Sequence, residues 1–355
     1  MGSVLLFFFS GILTGWFFTR ASILISLRYR IEDVPEGRSS HNIATPRLGG
    51  VGVAASFFLF CVLYLFPVSR IEGFPEPGII PPLLLGGTGC FLMGLWDDLR
   101  RLKAPFKLIL QTLCALVPII FGLRIHSLAL FAGLAFPPSV GYAAALCWIL
   151  FMINAFNFMD GMNGLAGTFA TVAFIFLSAL TGMQGKSFAL LFMFLAASCI
   201  GFLVYNLTPA MTFMGDSGSQ FLGYVLAVIP LYLHHDNREL FPFGTFVILF
   251  FPFIYDVLFT LGRRVLRNEN LFEAHRTHLY QRLMIAGWSH PGVLRILFIL
   301  FLICGFSSLG FARTKSTILR ALLAFIALLA MSLYALFVLR REEIKNRIQE
   351  KGSSG

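Results

Sequence analysis

Long, uninterrupted apolar runs restrict the fold of this 355-residue chain more than any other feature of its sequence. The hydrophobic fraction is 57%, the charged fraction is only 12%, and the mean hydropathy is +0.82. Runs of about 18 or more apolar residues are typical of membrane spans. Lipid offers no partners for backbone polar groups, so a span is either a helix or part of a closed barrel. Barrel strands would alternate polar and apolar residues over about ten positions. We therefore predict an all-α polytopic membrane protein.

The apolar runs predict about eleven transmembrane helices. The third and fifth runs are short or mixed, so ten spans remain an alternative. The first run lacks the basic region and the small-residue cleavage site of a signal peptide, and we interpret it as a retained span. The predicted spans are 4–27, 48–67, 79–96, 106–123, 139–156, 166–182, 188–205, 218–234, 243–262, 292–311 and 318–339.

The distribution of Lys and Arg predicts the orientation, because cytoplasmic loops carry an excess of both. With the N-terminus outside, the outer loops hold seven of these residues and the inner side holds the other 20 of the 27. We therefore predict an outer N-terminus and a cytosolic C-terminus. The outer residues are Arg70, Arg124, Lys186, Arg238, Arg313, Lys315 and Arg320.

The net charge of +10 is explained mainly by this topology and by attraction to anionic membrane lipid. The remainder is available for an anionic substrate, and we expect no nucleic-acid partner. No polar stretch is long enough to fold alone. We predict one membrane domain over residues 1–340, followed by a basic cytosolic tail over 341–355.

The six cysteines lie singly inside apolar runs and form no Cys-x-x-Cys pair. We interpret them as small buried hydrophobic residues, without a disulfide framework or a zinc site.

Five unusually polar stretches fall on the same predicted side of the membrane, whereas the loops on the opposite side contain no comparable clusters of acids and amides. This asymmetry predicts an active site at the cytosolic face. The stretches are “DVPEGRSSHNIATPRLGG” (33–50), the opening of “DDLRRLK” (97–103), “NAFNFMDGMNGLAG” (154–167), “NLTPAMTFMGDSGSQFLG” (206–223) and “RRVLRNENLFEAHRTHLYQRL” (263–283).

Five aspartates lie at or inside the predicted membrane boundary: Asp97, Asp98, Asp160, Asp216 and Asp256. Any one of them alone could cap a helix or extend to water. A charged group at the centre of a membrane helix costs roughly 2.5–3.5 kcal/mol on insertion scales, so five together need compensation. Carboxylate and amide oxygens favour a hard cation such as Mg²⁺, which often shares its ligands with substrate phosphates. This set of oxygen ligands therefore predicts a Mg²⁺ site and a phosphate-bearing substrate.

A zinc site is the weaker alternative. His275 and His278 have the spacing i, i+3, but the sequence offers no evident third ligand.

Together, “NAFNFMDGMNGLAG”, “FMGDSGSQFLG” and the Asp97–Asp98 pair after a span resemble the polyprenyl-phosphate N-acetylhexosamine-1-phosphate transferases, the family of MraY-, WecA- and TagO-like membrane enzymes. The resemblance extends over about residues 30–290. It implies transfer of a sugar 1-phosphate from a UDP-N-acetylhexosamine to undecaprenyl phosphate, with UMP as the second product. It also implies catalysis at the cytosolic face of the bacterial inner membrane, dependence on Mg²⁺ with Mn²⁺ as a possible substitute, and a homodimer as a family habit.

The resemblance also implies roles for individual residues. The metal ligands correspond to Asn157 and Asp216, and the uracil contacts to Asn163, by hydrogen bonding, and Phe213, by stacking. Asp97 and Asp98 correspond to an acidic pair that either activates the lipid phosphate or organises the metal site. The candidates for contact with the diphosphate are Arg276, His278 and Arg282, and we add Arg47 and Asp160 as further substrate-binding candidates.

Two departures from the family pattern bear on the sugar. Many members have Asp-Arg-x-His-Leu-His-His where this chain reads “HRTHLYQ”, and many have Asp at the position of Asn163. In these two features the sequence resembles the branch of the family that initiates O-antigen or other surface polysaccharides. They leave the sugar open among UDP-GlcNAc, UDP-GalNAc and 6-deoxy N-acetylhexosamines.

A membrane transporter or flippase of a phosphorylated lipid or solute is the rival class, since intramembrane acids and broken helices occur there too. A transporter needs its polar groups near the midplane of the membrane, whereas the predicted groups cluster at one face. The placement therefore favours an enzyme.

Overall fold

The computed structural model of the chain describes residues 2–33, 44–65, 77–128, 135–183, 188–270 and 276–353. His275, Arg70, Lys186 and most of the first polar stretch lie outside these ranges. The zinc alternative therefore has one of its two histidines outside the described residues.

The described part of the chain forms thirteen α-helices and one two-stranded antiparallel sheet. The sheet pairs β1 (Glu32–Asp33) with β2 (Thr45–Pro46), with Glu32 opposite Pro46. The helices are α1 (Gly2–Tyr29), α2 (Val51–Leu65), α3 (Ile80–Arg100), α4 (Ala104–Ile120), α5 (Pro138–Met159), α6 (Leu165–Gly182), α7 (Ala189–Asn206), α8 (Gly215–Asp236), α9 (Phe243–Leu249), α10 (Phe251–Leu266), α11 (Leu279–Ile285), α12 (His290–Arg313) and α13 (Thr317–Ser353).

Each predicted span coincides with a helix, except that the ninth coincides with two. In the part of the chain that the structure describes, six helices are long and apolar enough to cross a membrane, or seven if the bent pair α9–α10 is one span. The chain is therefore an all-α, multi-pass membrane protein. The helices α2 and α4 are apolar but shorter than a typical span. The count of eleven spans and the outer N-terminus stay predictions.

The ninth predicted span is broken by a bend of 73° between α9 and α10. Pro252 lies in the first turn of α10. Its ring would collide with the carbonyl group of Ile248, four residues earlier, and it has no N–H to donate to that carbonyl. The bend therefore falls where Pro252 removes one backbone hydrogen bond and crowds the preceding turn.

The centre of the bundle is α8, whose residues are buried on nearly every side from Ser217 to Leu231. It packs against α2, α3, α5, α6 and α9. Because successive helices run in opposite directions, the start of α8 lies at the same end of the bundle as the ends of α3 and α5. This end carries the described parts of the polar stretches.

Glycine allows α3 and the segment before α2 to reach the backbone of α8 at this end. A Cβ atom on Gly94 of α3 would lie 2.3 Å from the carbonyl oxygen of Asp216, and one on Gly50 would lie 2.3 Å from the Cα atom of Gly218. The start of α8 is thus held at backbone contact distance from α3 and from the segment before α2.

We predict that Gly94→Ala lowers the free energy of unfolding by about 1–3 kcal/mol, because the added methyl group meets backbone atoms that cannot rotate away. Thermal unfolding of the detergent-solubilised protein measures the effect. Gly262 of α10 is the matched control, since no atom lies within 4 Å of its Cβ position. Gly262→Ala should change stability by at most about 1 kcal/mol, and in the stabilising direction. Equal destabilisation by both variants would contradict the packing argument.

Candidate active site

The carboxylate of Asp216, in the first turn of α8, is contacted by side chains from three other segments. Arg47 donates from Nη2 to Oδ2 at 2.9 Å, and Lys107 of α4 approaches Oδ1 at 3.2 Å. Asn157 of α5 donates from Nδ2 to Oδ1 and also to the hydroxyl oxygen of Ser219, at 2.9 Å. The structure thus brings to Asp216 three residues that precede it by 169, 109 and 59 positions in the sequence.

The turn before Asp216 depends on glycine. Gly215 has a φ of +72°, in the left-handed region that glycine adopts without strain. A Cβ atom there would also lie 2.2 Å from the carbonyl oxygen of Arg47 and 2.8 Å from a carboxylate oxygen of Asp98. Gly215 therefore permits the close approach of both residues.

Asp98, in the last turn of α3, caps the start of α8. Its two oxygens accept hydrogen bonds from the backbone N–H groups of Asp216 (2.8 Å) and Ser217 (2.9 Å). Arg47 Nε lies 3.0 Å from the same carboxylate. The first backbone N–H groups of a helix have no partner within it, and a carboxylate there is favoured by the helix dipole. Asp98 thereby sets the position of Asp216.

Asp97 points to a different neighbour. Its carboxylate accepts from the backbone N–H of Leu102 at 2.7 Å and pairs with Lys107 Nζ at 2.6 Å. Successive side chains on a helix diverge by about 100°. The two adjacent acids therefore serve two helices, Asp97 the start of α4 and Asp98 the start of α8.

Asp160 directly follows α5 and lies close to this group. Burial raises the pKa of its carboxyl well above the usual range, and the Asp216 and Asp98 carboxylates raise it further. We call the group the acidic cluster. It comprises Asp97, Asp98, Asp160 and Asp216, with the cations Arg47 and Lys107.

The acidic cluster fits a divalent cation by charge and by donor chemistry. The carboxylates of Asp97, Asp98 and Asp216 face the two cationic side chains, which leaves one formal negative charge. The Asp160 carboxyl, whose pKa is raised, adds a further oxygen donor beside them. Within the described ranges, no three His, Cys, Asp or Glu side chains are arranged to hold a metal by themselves. Mg²⁺ commonly takes only one or two carboxylates, with phosphate oxygens and water completing the shell. Asp216 and Asn157 would be such a partial set, with the Asn157 amide rotated so that its oxygen faces the cation.

Asn163 and Phe213, the predicted nucleobase contacts, lie half-buried in two loops that a buried asparagine joins. Asn206, at the end of α7, accepts from the N–H of Gly164 and donates to the carbonyl of Thr212, each at 2.9 Å. Asn206 therefore links the loop that carries Asn163 to the loop that carries Phe213, at a point adjacent to each of these two residues.

His278 and Arg282 belong to the short helix α11, and the structure places them differently. His278 is buried and lies against Asp256 of α10, while the Tyr280 hydroxyl donates to the carbonyl of Phe158 at 3.0 Å. This hydrogen bond brings α11 to the loop that carries Asp160. Arg282 instead pairs with Glu342 of α13.

Arg276 is half-buried and immediately precedes this segment. Its position beside His278 agrees with the predicted contact but does not test it. Its role stays a prediction.

Sequence reasoning missed Lys107 and Asn206 as site residues. Lys107 was counted only among the inner basic residues, although it lies one turn into the helix after the acidic pair. Asn206 opens the fourth polar stretch, and its place at the end of an apolar run was the available signal. Glu342 was assigned to the tail, yet α13 continues unbroken through it.

Comparisons with known proteins agree on one group of relatives. The sequence model of Glycosyl transferase family 4 matches residues 80–234, from the start of α3 to near the end of α8. A decaprenyl-phosphate N-acetylglucosaminephosphotransferase of Mycobacterium leprae (strain TN) is 30% identical over 318 residues, covering 81% of this chain and 78% of the relative.

Two further relatives extend the comparison. A probable undecaprenyl-phosphate N-acetylglucosaminyl 1-phosphate transferase of Bacillus subtilis (strain 168) is 25% identical, over 92% of this chain and 88% of its own. A phospho-N-acetylmuramoyl-pentapeptide-transferase of Desulforudis audaxviator (strain MP104C) is 30% identical, over 76% and 86%.

We predict that Asn206→Leu, which is nearly isosteric, lowers the free energy of unfolding by about 2 kcal/mol or more, because it leaves a buried N–H and a buried carbonyl without partners. Thermal unfolding in detergent checks this. Thr112→Val is the control, since it removes one exposed hydroxyl bond to Leu108, and should cost within about 0.5 kcal/mol. If the two variants were equally stable, Asn206 would not join the loops.

Proposed function

The chain belongs to the family of polyprenyl-phosphate N-acetylhexosamine-1-phosphate transferases, and from this premise we propose that its donor is a UDP-N-acetylhexosamine, its acceptor undecaprenyl phosphate, and its second product UMP. Membership supports the coarser reaction, transfer of a sugar 1-phosphate to a prenyl phosphate. The observation that carries the proposal is Asp216, held at the start of α8 between Arg47, Lys107 and Asn157.

The proposed reaction is a displacement at phosphorus. An oxygen of the lipid phosphate attacks the sugar-bearing phosphorus of the donor. The bond from that phosphorus to the bridging oxygen breaks, and the electron pair leaves with UMP. The product is a lipid diphosphate-sugar. Because two anionic phosphates must meet, the protein contributes mainly positioning and charge neutralisation.

The side chains of the cluster suit these tasks. Arg47 presents a planar fork of donors for phosphate oxygens, and Lys107 presents a compact cation. Asp216 and Asn157 would hold the Mg²⁺, which supplies charge neutralisation at the diphosphate when bound. Mn²⁺ has similar preferences for oxygen ligands.

The nucleobase end of the donor fits the joined loops. The Asn163 amide offers both a donor and an acceptor to a uracil edge, and the Phe213 ring offers a stacking face. Arg276 and His278 would contact the diphosphate. We assign Arg282 to the same region through its place in α11, with Glu342 as its partner.

Asp97 and Asp98 organise charge in this proposal. Both carboxylates have partners that fix neighbouring helices, Leu102 and Lys107 for one and the start of α8 for the other. A phosphate monoester has its second pKa at about 6, so the acceptor is mostly dianionic near neutral pH without a base.

We further propose that the chain works at the cytosolic face of a bacterial inner membrane and initiates O-antigen or another surface polysaccharide. The departures at Asn163 and around His278 support this branch. The names of relatives that act with N-acetylglucosamine make UDP-GlcNAc the first donor to test. The transporter alternative is disfavoured because the contacts of the acidic cluster lie at one end of the bundle.

The test incubates the purified protein with undecaprenyl phosphate, Mg²⁺ and a panel of UDP-sugars, and identifies the lipid product by mass. We expect one N-acetylhexosamine to give a lipid diphosphate-sugar and stoichiometric UMP. If no UDP-sugar gives a lipid product, the proposed function is wrong.

We predict that excess EDTA abolishes this activity and that Mg²⁺ or Mn²⁺ restores it. Asp216→Asn should lower kcat by about 100-fold or more and shift the metal dependence to higher concentration, because the cluster loses its central charge. Asp236→Asn, at the opposite end of α8, is the matched control and should retain activity. Full turnover in EDTA would remove the metal from the proposal.

We predict that Asn163→Ala raises KM for the UDP-sugar by about tenfold, the equivalent of one hydrogen bond of about 1.4 kcal/mol. KM for undecaprenyl phosphate, measured in the same variant, should change much less. Equal change in both constants, or none in either, would show that the residue is structural.

We predict that Asp98→Asn lowers activity and that the loss persists as pH rises from about 6, the second pKa of a phosphate monoester. The amide would place a donor against a backbone N–H at the start of α8, and that loss does not depend on pH. A pH–rate profile of Asp98→Asn and Asp97→Asn, with donor binding checked, measures it. Recovery of activity as pH rises would instead identify a general base.

A further inference from the structure

Asp256 of α10 and His278 form a buried pair beside the acidic cluster. Asp256 is 1% exposed and His278 is 2% exposed. His278 Nδ1 lies 2.9 Å from Asp256 Oδ1. A lone pair on Nδ1 would face the lone pairs of the carboxylate, so the ring proton lies on Nδ1 and the other nitrogen, Nε2, is the one available for chemistry.

The same carboxylate holds the backbone around His278. It accepts from the N–H groups of Leu279 at 3.1 Å and Tyr280 at 3.4 Å, and from the hydroxyl of Thr260 at 3.3 Å. Within the described ranges, no Lys or Arg side chain pairs with Asp256. Apart from the Thr260 hydroxyl one turn further along α10, its contacts are thus with the start of α11 and with one imidazole ring.

Aromatic rings fix the plane of that imidazole. The Tyr280 ring stacks on it with centroids 6.0 Å apart, and the Phe158 ring lies at 5.9 Å. Tyr280 also donates to the carbonyl of Phe158, two residues before Asp160. A Cβ atom on Gly161 would lie 2.2 Å from the Tyr280 hydroxyl, so the loop and α11 are in direct contact.

We propose that Asp256 is a positioning residue for the transfer reaction, which fixes the orientation and the tautomer of His278 so that Nε2 is directed at the donor diphosphate. The inference rests on the proposed function. The Asp256 carboxylate places a negative charge behind the ring, and Nε2, when it carries a proton, donates a charge-assisted hydrogen bond to a phosphate oxygen. Histidines that bind metals are oriented by carboxylates in the same way.

A purely structural role is the competing explanation, because Asp256 also satisfies the first N–H groups of α11. Asp256→Asn separates the two roles. The amide oxygen can take the place of Oδ1, which faces His278 Nδ1 and accepts from the N–H of Leu279. The variant loses the longer bond from the N–H of Tyr280 (3.4 Å) and the negative charge behind the imidazole.

The experiment is a double-mutant cycle with Asp256→Asn, His278→Ala and the combined variant. Wild-type transfer of the sugar phosphate from UDP-GlcNAc, or from whichever UDP-sugar the panel identifies, is measured first. We expect Asp256→Asn to lower kcat by about tenfold or more with a smaller change in KM for the donor, and to change kcat less than twofold in the His278→Ala background. Non-additivity of this kind shows that Asp256 acts through His278.

Thr260→Val is the control, since it removes another contact of the same carboxylate and should leave kcat within twofold. Unfolding midpoints of all variants are compared. If Asp256→Asn does not fold, Asp256→Glu, which keeps the charge but displaces it, enters the same cycle.

Equal loss of kcat in both backgrounds would overturn the inference and leave Asp256 as a structural cap, with the proposed function intact. Failure of the wild-type protein to transfer any sugar phosphate would overturn the proposed function, and the inference with it.

Discussion

The burial of the Asp216 carboxylate at the edge of a membrane bundle is the constraint on which the rest of the site depends. A charge placed at the centre of a membrane helix costs roughly 2.5–3.5 kcal/mol on insertion scales. Here it is offset by Arg47, Lys107 and Asn157, which come from three different segments. Asp98 adds the backbone N–H groups of α8 to this arrangement. The acidic cluster is therefore a junction between helices as well as a place for phosphate chemistry.

The junction explains why the polar stretches are far apart in sequence and yet act together. Antiparallel succession of the helices brings every second connection to one end of the bundle. Glycines then allow backbone contact at this end, as Gly94 does between α3 and α8. Asn206 and Tyr280 both extend the junction to the connection between α5 and α6, Asn206 through the N–H of Gly164 and Tyr280 through the carbonyl of Phe158 just before it.

Much of the fold could be predicted from the sequence, because long apolar runs indicate membrane helices and the polar stretches between them indicate the site. The eleven runs coincide with helices, and Asp98, Asn157 and Asp216 meet as their shared side implies. The number of membrane crossings was not determined, because α3 and α8 fall outside the helices that pass the length and hydropathy test. The bend at Pro252 was overlooked although proline signalled it. Lys107 was missed because its partners lie in other helices, and sequence spacing says nothing of them.

The cap that Asp98 places on α8 has a consequence for how the chain is made. The two carboxylate oxygens of Asp98 accept from backbone N–H groups that are synthesised 118 and 119 residues later. At ribosomal speeds of about 5–20 residues per second, that delay is roughly 6–24 s. Arg47 is already synthesised when Asp98 emerges, and the two side chains pair at 3.0 Å in the finished protein. An early ion pair between them would shield the carboxylate during insertion and keep it in place until α8 arrives to complete the bundle.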